Sequence, residues 1–363
     1  KKVLLVEQHD RPGGCATTFR RKDFIFEVGL HEMDGLSGVD MKMKIFRDLG
    51  VFDEVEFLKV PEFYHFVHEG FEISIPHDPD EATKVLSEAF PDQTDGIEAY
   101  FDQIMNVKKK LKEGGQENMT VGEFLDSIIS NEKLKLALTG NLGYFHDDPY
   151  ELSLIYYSLA QARYYGGGGN FIKGGSQKLS DYLSECISSN GGKVMLKHIV
   201  TDILTEGDKA IGITYKPVKG NNGTFKAYGK EIIANNSVRD LAEKLLPFDK
   251  GEALAEQIND LENGASLLTV YFGFNKKLKI IGSKYYSTFV FDDSITSLKD
   301  IKKNNSGEFE KRSFTFVDYS QVDSALCSEE KSVGVICCMD YLSDWESLEK
   351  EDYLKKKEEV AQI

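Results

Sequence analysis

Apolar residues fill positions 3–6, end at an acidic residue, Glu7, and give way to the turn formers of HDRPGG. That order predicts a short strand running into a glycine-rich loop, with a second strand-like run at 24–28. Positions 41–49 are apolar at helical spacing and stop at Gly50, a natural helix terminator. Residues 64–67 and 71–75 alternate on either side of His68-Glu69-Gly70, which predicts a hairpin. Helical periodicity then governs 80–111 and 120–138, the second opened by Thr120 and Glu123 at capping-box spacing. This stretch reads as a helical insertion.

Glycines cluster again in YYGGGGNFIKGGSQ, after which 177–188 is helical, Gly191-Gly192 is a turn, and 193–195, 200–206 and 210–215 are strands. Gly229-Lys230 leads into EIIANN, expected as a short apolar strand, and then a helix over 237–246. Alternation at 266–274, 312–317 and 332–339 predicts three further strands. The sequence of types is α/β, then α, then α/β, then mostly β. A nucleotide-type domain interrupted by a second domain in two instalments fits that order.

Length and charge narrow the classes. The 363 residues suggest two domains, and 41% hydrophobic with 29% charged residues is ordinary globular composition. A net charge of −16 argues against nucleic acid as partner, since phosphate recognition needs clustered Lys and Arg. No apolar run reaches the roughly 18 residues of a membrane span. The five cysteines, Cys15, Cys186, Cys327, Cys337 and Cys338, have no metal-ligand spacing and read as small buried hydrophobes in a reducing compartment. We therefore expect a soluble, cytoplasmic protein without a metal.

Two segments could carry chemistry. A carboxylate at a strand end, followed by Arg11 and the side-chain-free backbone of Gly13 and Gly14, could bind a ribose hydroxyl and lie close to a pyrophosphate. A plain strand end with a solvated turn fits the same residues. The glycines at 166–169 and 174–175 suit a backbone passing close to a flat ligand, or equally a linker, although linkers seldom carry interleaved Tyr164, Tyr165 and Phe171. Among seven histidines, His31 stands beside Glu32 as a candidate acid/base pair, with a hydrogen-bonded loop histidine as the plainer alternative. No nucleophile elbow, P-loop or metalloprotease motif is present.

Taken together, KVLLVEQHDRPGGCATTF followed by FIFEVGLHEMDG resembles the second strand and following loops of the phytoene desaturase-like branch of the flavoprotein amine-oxidase superfamily. YYGGGGNFIKGGSQKLSDYL resembles that family's second landmark, and the carboxy-terminal part, from SLLTVYFGF onward, is similar to the substrate-domain sheet of the carotenoid isomerase and retinol saturase branch. The resemblance implies an α/β fold: an incomplete Rossmann-like FAD-binding domain (1–62 and 165–264) interleaved with an α+β substrate domain (63–164 and 265–363) that carries the helical insertion.

It also implies FAD. Glu7 would take the adenosine ribose hydroxyls, Arg11 would lie by the pyrophosphate, and Gly13 and Gly14 would run under the flavin side. Ala16 and Thr17 would line the approach to the isoalloxazine, and Val200 would present its backbone to the adenine. The implied reaction is hydride or electron exchange at flavin N5 with a hydrophobic polyene. Amine or porphyrinogen oxidation, and a non-redox prenyl-binding role like that of Rab GDP-dissociation inhibitors, are the competing readings.

An apolar substrate implies some peripheral membrane contact, for which the helical insertion at 80–138 is the first place to look; its Lys108-Lys109-Lys110 run also reads as a solvated helix face. Relative to that family the sequence starts beyond the GxGxxG turn and stops before the late glycine-rich segment. It is therefore expected to be a fragment that, alone, binds FAD poorly or folds improperly.

Overall fold

Alternating residues near the carboxy terminus and in the predicted hairpin come together, in the computed structural model, as one six-stranded sheet. The structure describes residues 2–36, 40–220 and 223–363. In chain order the sheet's strands are β1 (Tyr64–His68), β2 (Phe71–Ile75), β3 (Ser266–Phe274), β4 (Ser287–Val290), β5 (Phe314–Asp318) and β6 (Ser332–Asp340). They lie in the order β3-β6-β5-β4-β1-β2, antiparallel except where β4 meets β1. Glu69 and Gly70 both take positive φ, 48° and 72°, the mirror-image turn whose twist matches that of a two-residue hairpin.

Register puts Thr269, Cys337, Thr315, Phe289, Phe66 and Ile73 in one line across all six strands. Because side chains alternate between faces, that line and its neighbours two residues away form one surface. Two cores sit side by side on it. One joins Phe66, Ile73 and Phe289 to the helical insertion through Ile97, Leu125 and Tyr157. The other joins Val317 and Val335 to Phe24, Phe26 and Phe171. Of the five cysteines, Cys337 is buried and Cys338, on the opposite face, is half-buried like Cys186 and Cys327. Cys15, against expectation, is exposed, because it lies on the glycine-rich loop outside either core.

Contacts divide the chain into two units, Lys1–Thr17 with Gln177–Asn263, and Thr18–Ser176 with Gly264–Ile363. As compact units these break elsewhere than the expected functional domains, and the packing says why. The hairpin Thr18–Arg21/Phe24–Glu27 buries its phenylalanines on the six-stranded sheet. The glycine-rich strand Gly169–Ile172 pairs with Phe57–Lys59 and Met33–Asp34. Residues 18–62 and 165–176 therefore belong to the larger unit.

In the smaller unit Leu4–Val6 runs parallel to Lys193–Met195, and His198–Glu206, Lys209–Pro217 and Phe225–Tyr228 form an antiparallel sheet. The helix Gln177–Ser189 precedes them, as expected. EIIANN departs from expectation. It forms no strand, pairs with no described strand, and leaves Ile233 91% exposed. A strand exists only through its ladder, and without one the backbone stays in water.

Candidate functional site

The smaller unit builds its candidate site at the end of the first strand. Glu7 continues the ladder: its N–H donates to the Met195 carbonyl at 2.9 Å and its carbonyl accepts from His198 N–H at 3.0 Å. Its carboxylate accepts the N–H of His9 at 2.8 Å, which holds it at the mouth of the following loop. That loop is strapped to the first turns of the helix Gln177–Ser189. Gln177 donates to the Pro12 carbonyl at 3.0 Å, Ser180 donates to the Ala16 carbonyl at 2.8 Å, and the Thr17 hydroxyl donates to the Gln177 side chain.

The two loop glycines differ. Gly13, at φ 114°, has no room for a Cβ, which would come within 2.7 Å of the Ser180 Cβ and overlap the Ala16 carbonyl. Its missing side chain lets the loop pack on the helix. Gly14, at φ 59°, would put a Cβ into open space, so its bare backbone faces outward. Arg11 is exposed and pairs with Asp10 at 3.2 Å. Val200 lies half-buried on the strand His198–Glu206, beside a register shift.

The larger unit holds His31 and Glu32, and here the expected pairing changes. Neighbouring residues of extended backbone point to opposite sides. His31 accordingly meets the Tyr144 hydroxyl through Nδ1 at 2.5 Å, while Glu32 turns to His77, 3.6 Å from its Nε2. The acid/base partner of Glu32 is thus His77, 45 residues away (77 − 32), and no local spacing signals it.

Burial pulls the His31 imidazole down from 6.5 to about 4, leaving it neutral near pH 7. Burial pushes the Glu32 carboxyl up, against the opposing pull of His77, with Glu62 and Asp34 adding to the rise. The facing atoms, Glu32 Oε2 and His77 Nε2, are buried and, at 3.6 Å, face each other without a hydrogen bond to any group.

Gly169 makes room for that couple. A Cβ there would overlap the Glu32 carboxylate and lie 2.9 Å from His77 Nε2. Gly169→Ala is expected to cost about 1–3 kcal/mol, because the buried pair must move without new partners. Urea unfolding checks this, with Gly264→Ala, whose methyl enters open space without a left-handed backbone, as the comparison.

Three phenols fix the backbone of the loop that carries His31. Tyr271 donates to the Val28 carbonyl at 2.8 Å, Tyr319 to Leu30 at 3.1 Å and Tyr286 to His31 at 2.6 Å. From below, buried Glu27 accepts the N–H groups of Gly29 and Leu30 at 3.3 and 3.1 Å, and the N–H and hydroxyl of Ser176 at 2.7 and 2.8 Å. Sequence reading missed Glu27, the tyrosines and His77. Glu27 closes an apolar strand as Glu7 does, and that was the one available signal.

A cleft of ≈ 780 Å³ lies over the exposed end of β3. Phe19, Phe26, Tyr271, Tyr341, Trp345 and Tyr353 line it, with Arg21, Asp340 and Lys357 as its charged residues.

The fold these units define recurs in solved oxidoreductases. A crystal structure of an oxidoreductase from Methanosarcina mazei superposes with a TM-score of 0.67 at 16% identity, covering 99% of this chain and 76% of that one. The chain belongs to the family of flavin containing amine oxidoreductases, whose family model matches residues 1–354.

Curated relatives include an all-trans-retinol 13,14-reductase from Danio rerio, 23% identical over 86% of this chain and 57% of its own length. A chloroplastic prolycopene isomerase from Daucus carota is 24% identical over 99% of this chain and 61% of its own. The chain thus spans about three fifths of the length of these relatives. The family's cofactor is FAD, and the smaller unit's donor set suits one. A carboxylate at a strand end accepts sugar hydroxyls, and the open backbone at Gly14 leaves space for a phosphate to approach. Among the described residues, no helix is long and apolar enough to cross a membrane.

Proposed function

We propose that the protein is an FAD-dependent oxidoreductase or isomerase acting on an elongated hydrophobic polyene of the carotenoid or retinoid kind. The observation that carries this reading is the ≈ 780 Å³ cleft lined by six aromatic residues, within the volume range of small-molecule sites and suited to a substrate recognised by shape and burial. The family match and the polyene-directed names of both relatives support it.

When bound, FAD supplies hydride or electron exchange at N5. The residues of this chain do the rest. Glu7 takes the ribose hydroxyls, Arg11 swings from Asp10 toward the pyrophosphate, and Gly14 offers its bare backbone. Ala16 and Thr17 line the flavin approach, Val200 offers its backbone to the adenine, and Gly13 keeps the loop seated on its helix. The aromatic cleft of the larger unit receives the apolar chain of the substrate by shape and burial. Glu32 and His77 face each other, buried, within the larger unit. A substrate of this solubility resides in bilayers, so peripheral membrane contact belongs to the reading.

The test uses the polypeptide produced in full from its gene. It is expected to take up one equivalent of FAD, read by flavin absorbance. Glu7→Gln is expected to weaken uptake roughly ten- to hundredfold, the worth of a charge-assisted hydrogen bond. Chromatography of a polyene incubated with the flavin-loaded protein reports turnover. A colourless protein that refuses added FAD would end the proposal.

A further inference from the structure

One short segment departs from the acidic character of the whole. Residues 275–286, NKKLKIIGSKYY, contain four lysines and no acid in a chain of net charge −16. They join β3 to β4 through a single 3-10 turn, Leu278–Ile281, closed by Gly282 at φ 100°. At its tip Ile280 is 75% exposed and Ile281 is 72% exposed. Two adjacent aliphatic side chains this bare on one protruding turn carry a solvation cost that folding leaves unrelieved.

The turn is firmly built. Leu278 is buried, its N–H donates to the Ser332 hydroxyl at 3.0 Å, and Ser283 donates to buried Asp318 at 2.6 Å. Ile280 N–H donates to the Lys277 carbonyl at 3.1 Å and Ser283 N–H to the Leu278 carbonyl at 3.2 Å. The isoleucines are therefore presented by a fixed backbone, and little ordering remains to be done on binding.

Lys276, Lys277, Lys279 and Lys284 are all exposed, and among the described residues no ion pair joins any of them to an acid. The helical insertion differs: there Lys110 pairs with Asp102 at 2.6 Å and Lys109 with Glu113 at 3.8 Å, which makes that run a solvated helix face. Of the acids that touch the segment, Asp318 is buried and Glu62, which accepts the Tyr286 N–H, is half-buried, so the exposed charge of the turn is that of its four lysines.

We propose that this turn docks the protein on an anionic lipid bilayer, Ile280 and Ile281 entering the headgroup boundary while the four lysines lie against the lipid phosphates and carboxylates. Charge complementarity selects an anionic surface, and lysine stems reach it without burying their ammonium groups. The geometry favours a bilayer over a protein. A specific protein interface needs about 800 Å² per partner, far more than a two-residue tip presents, whereas a membrane accepts a small apolar wedge anywhere on its surface. The inference rests on the proposed function only in expecting a meeting with lipid.

Sedimentation with vesicles tests it, using phosphatidylcholine alone and phosphatidylcholine mixed with phosphatidylserine. The protein is expected to pellet with the anionic vesicles and to be partly released by salt. Replacing both isoleucines (Ile280→Ser with Ile281→Ser) is expected to weaken binding at least roughly tenfold, and each Lys→Gln change about fivefold. These are surface positions, and circular dichroism checks that each variant folds.

Protein that stays in the supernatant overturns the proposal. So does binding that survives the serine changes. A dimer that these changes abolish, with no vesicle binding, assigns the turn to a second protein and overturns it as well. Vesicle binding needs neither flavin nor turnover, so its failure and that of the enzyme reading are separable.

Discussion

The free energy of unfolding should fall by about 3 kcal/mol as pH drops from 6.5 to 4, through His31 alone. Its imidazole titrates near 6.5 in the unfolded chain and is held down to about 4 in the fold by burial. The unfolded state therefore binds more protons across that window, and the folded state loses ground as pH falls. The contribution is fully present above pH 6.5 and is spent near pH 4. The difference of about 2.5 units corresponds to about 3 kcal/mol, at about 1.36 kcal/mol per unit.

Glu27, Glu32 and Glu62 act in the opposite sense. Burial raises all three carboxyls, so they favour the fold at low pH and withdraw that help as pH rises. The clean measurement is the difference between wild type and His31→Gln in urea unfolding across pH 4 to 7. A wild-type curve that parallels the variant at every pH would refute the assignment.

Asp340→Ala is expected to cost about 3–5 kcal/mol, because it strands a buried cation. Arg312 and Asp340 are 6% and 4% exposed and meet at 2.9 Å. Arg312 also donates to the carbonyls of Met339 and Gly307 at 3.1 and 2.8 Å, and its guanidinium lies 4.0 Å from the centre of the Phe309 ring. The second carboxylate oxygen accepts Trp345 Nε1–H at 2.6 Å. Removing the carboxylate leaves the guanidinium without its counter-charge and the indole without its acceptor.

Replacing the pair together (Arg312→Met with Asp340→Leu) should recover most of the loss, since neither charge is then left uncompensated. Trp345 is the chain's sole tryptophan, so its fluorescence reports unfolding from this spot. A loss in Asp340→Ala no larger than that of a surface change would refute the account.

Much of the architecture could be read from pattern alone. The hairpin at 64–75, the capped helix opened by Thr120, the helix from Gln177 and the strands at 266–274 and 332–340 have the periodicity that their burial requires. Strands Phe57–Lys59 and Gly169–Ile172 were not legible. They are short, and the second is flanked by glycines, so only a partner distant in sequence makes them strands.

The candidate sites divided the same way. Glu7 and its loop announce themselves because strand end, carboxylate and glycines are contiguous. Glu32 and His77 do not, because the fold alone brings them together, and a histidine next to a helix cap carries no mark of its distant carboxylate.

Tyr271, Tyr286 and Tyr319 come from, or stand beside, three different strands of one sheet, yet they hold consecutive turns of one loop. The loop's position is therefore a consensus of the sheet, not the property of any one strand. Loss of one phenol leaves two moorings, while a change in the sheet's twist moves all three together. Drift in a single strand is absorbed, and His31 keeps its seat as long as the sheet bends as a whole.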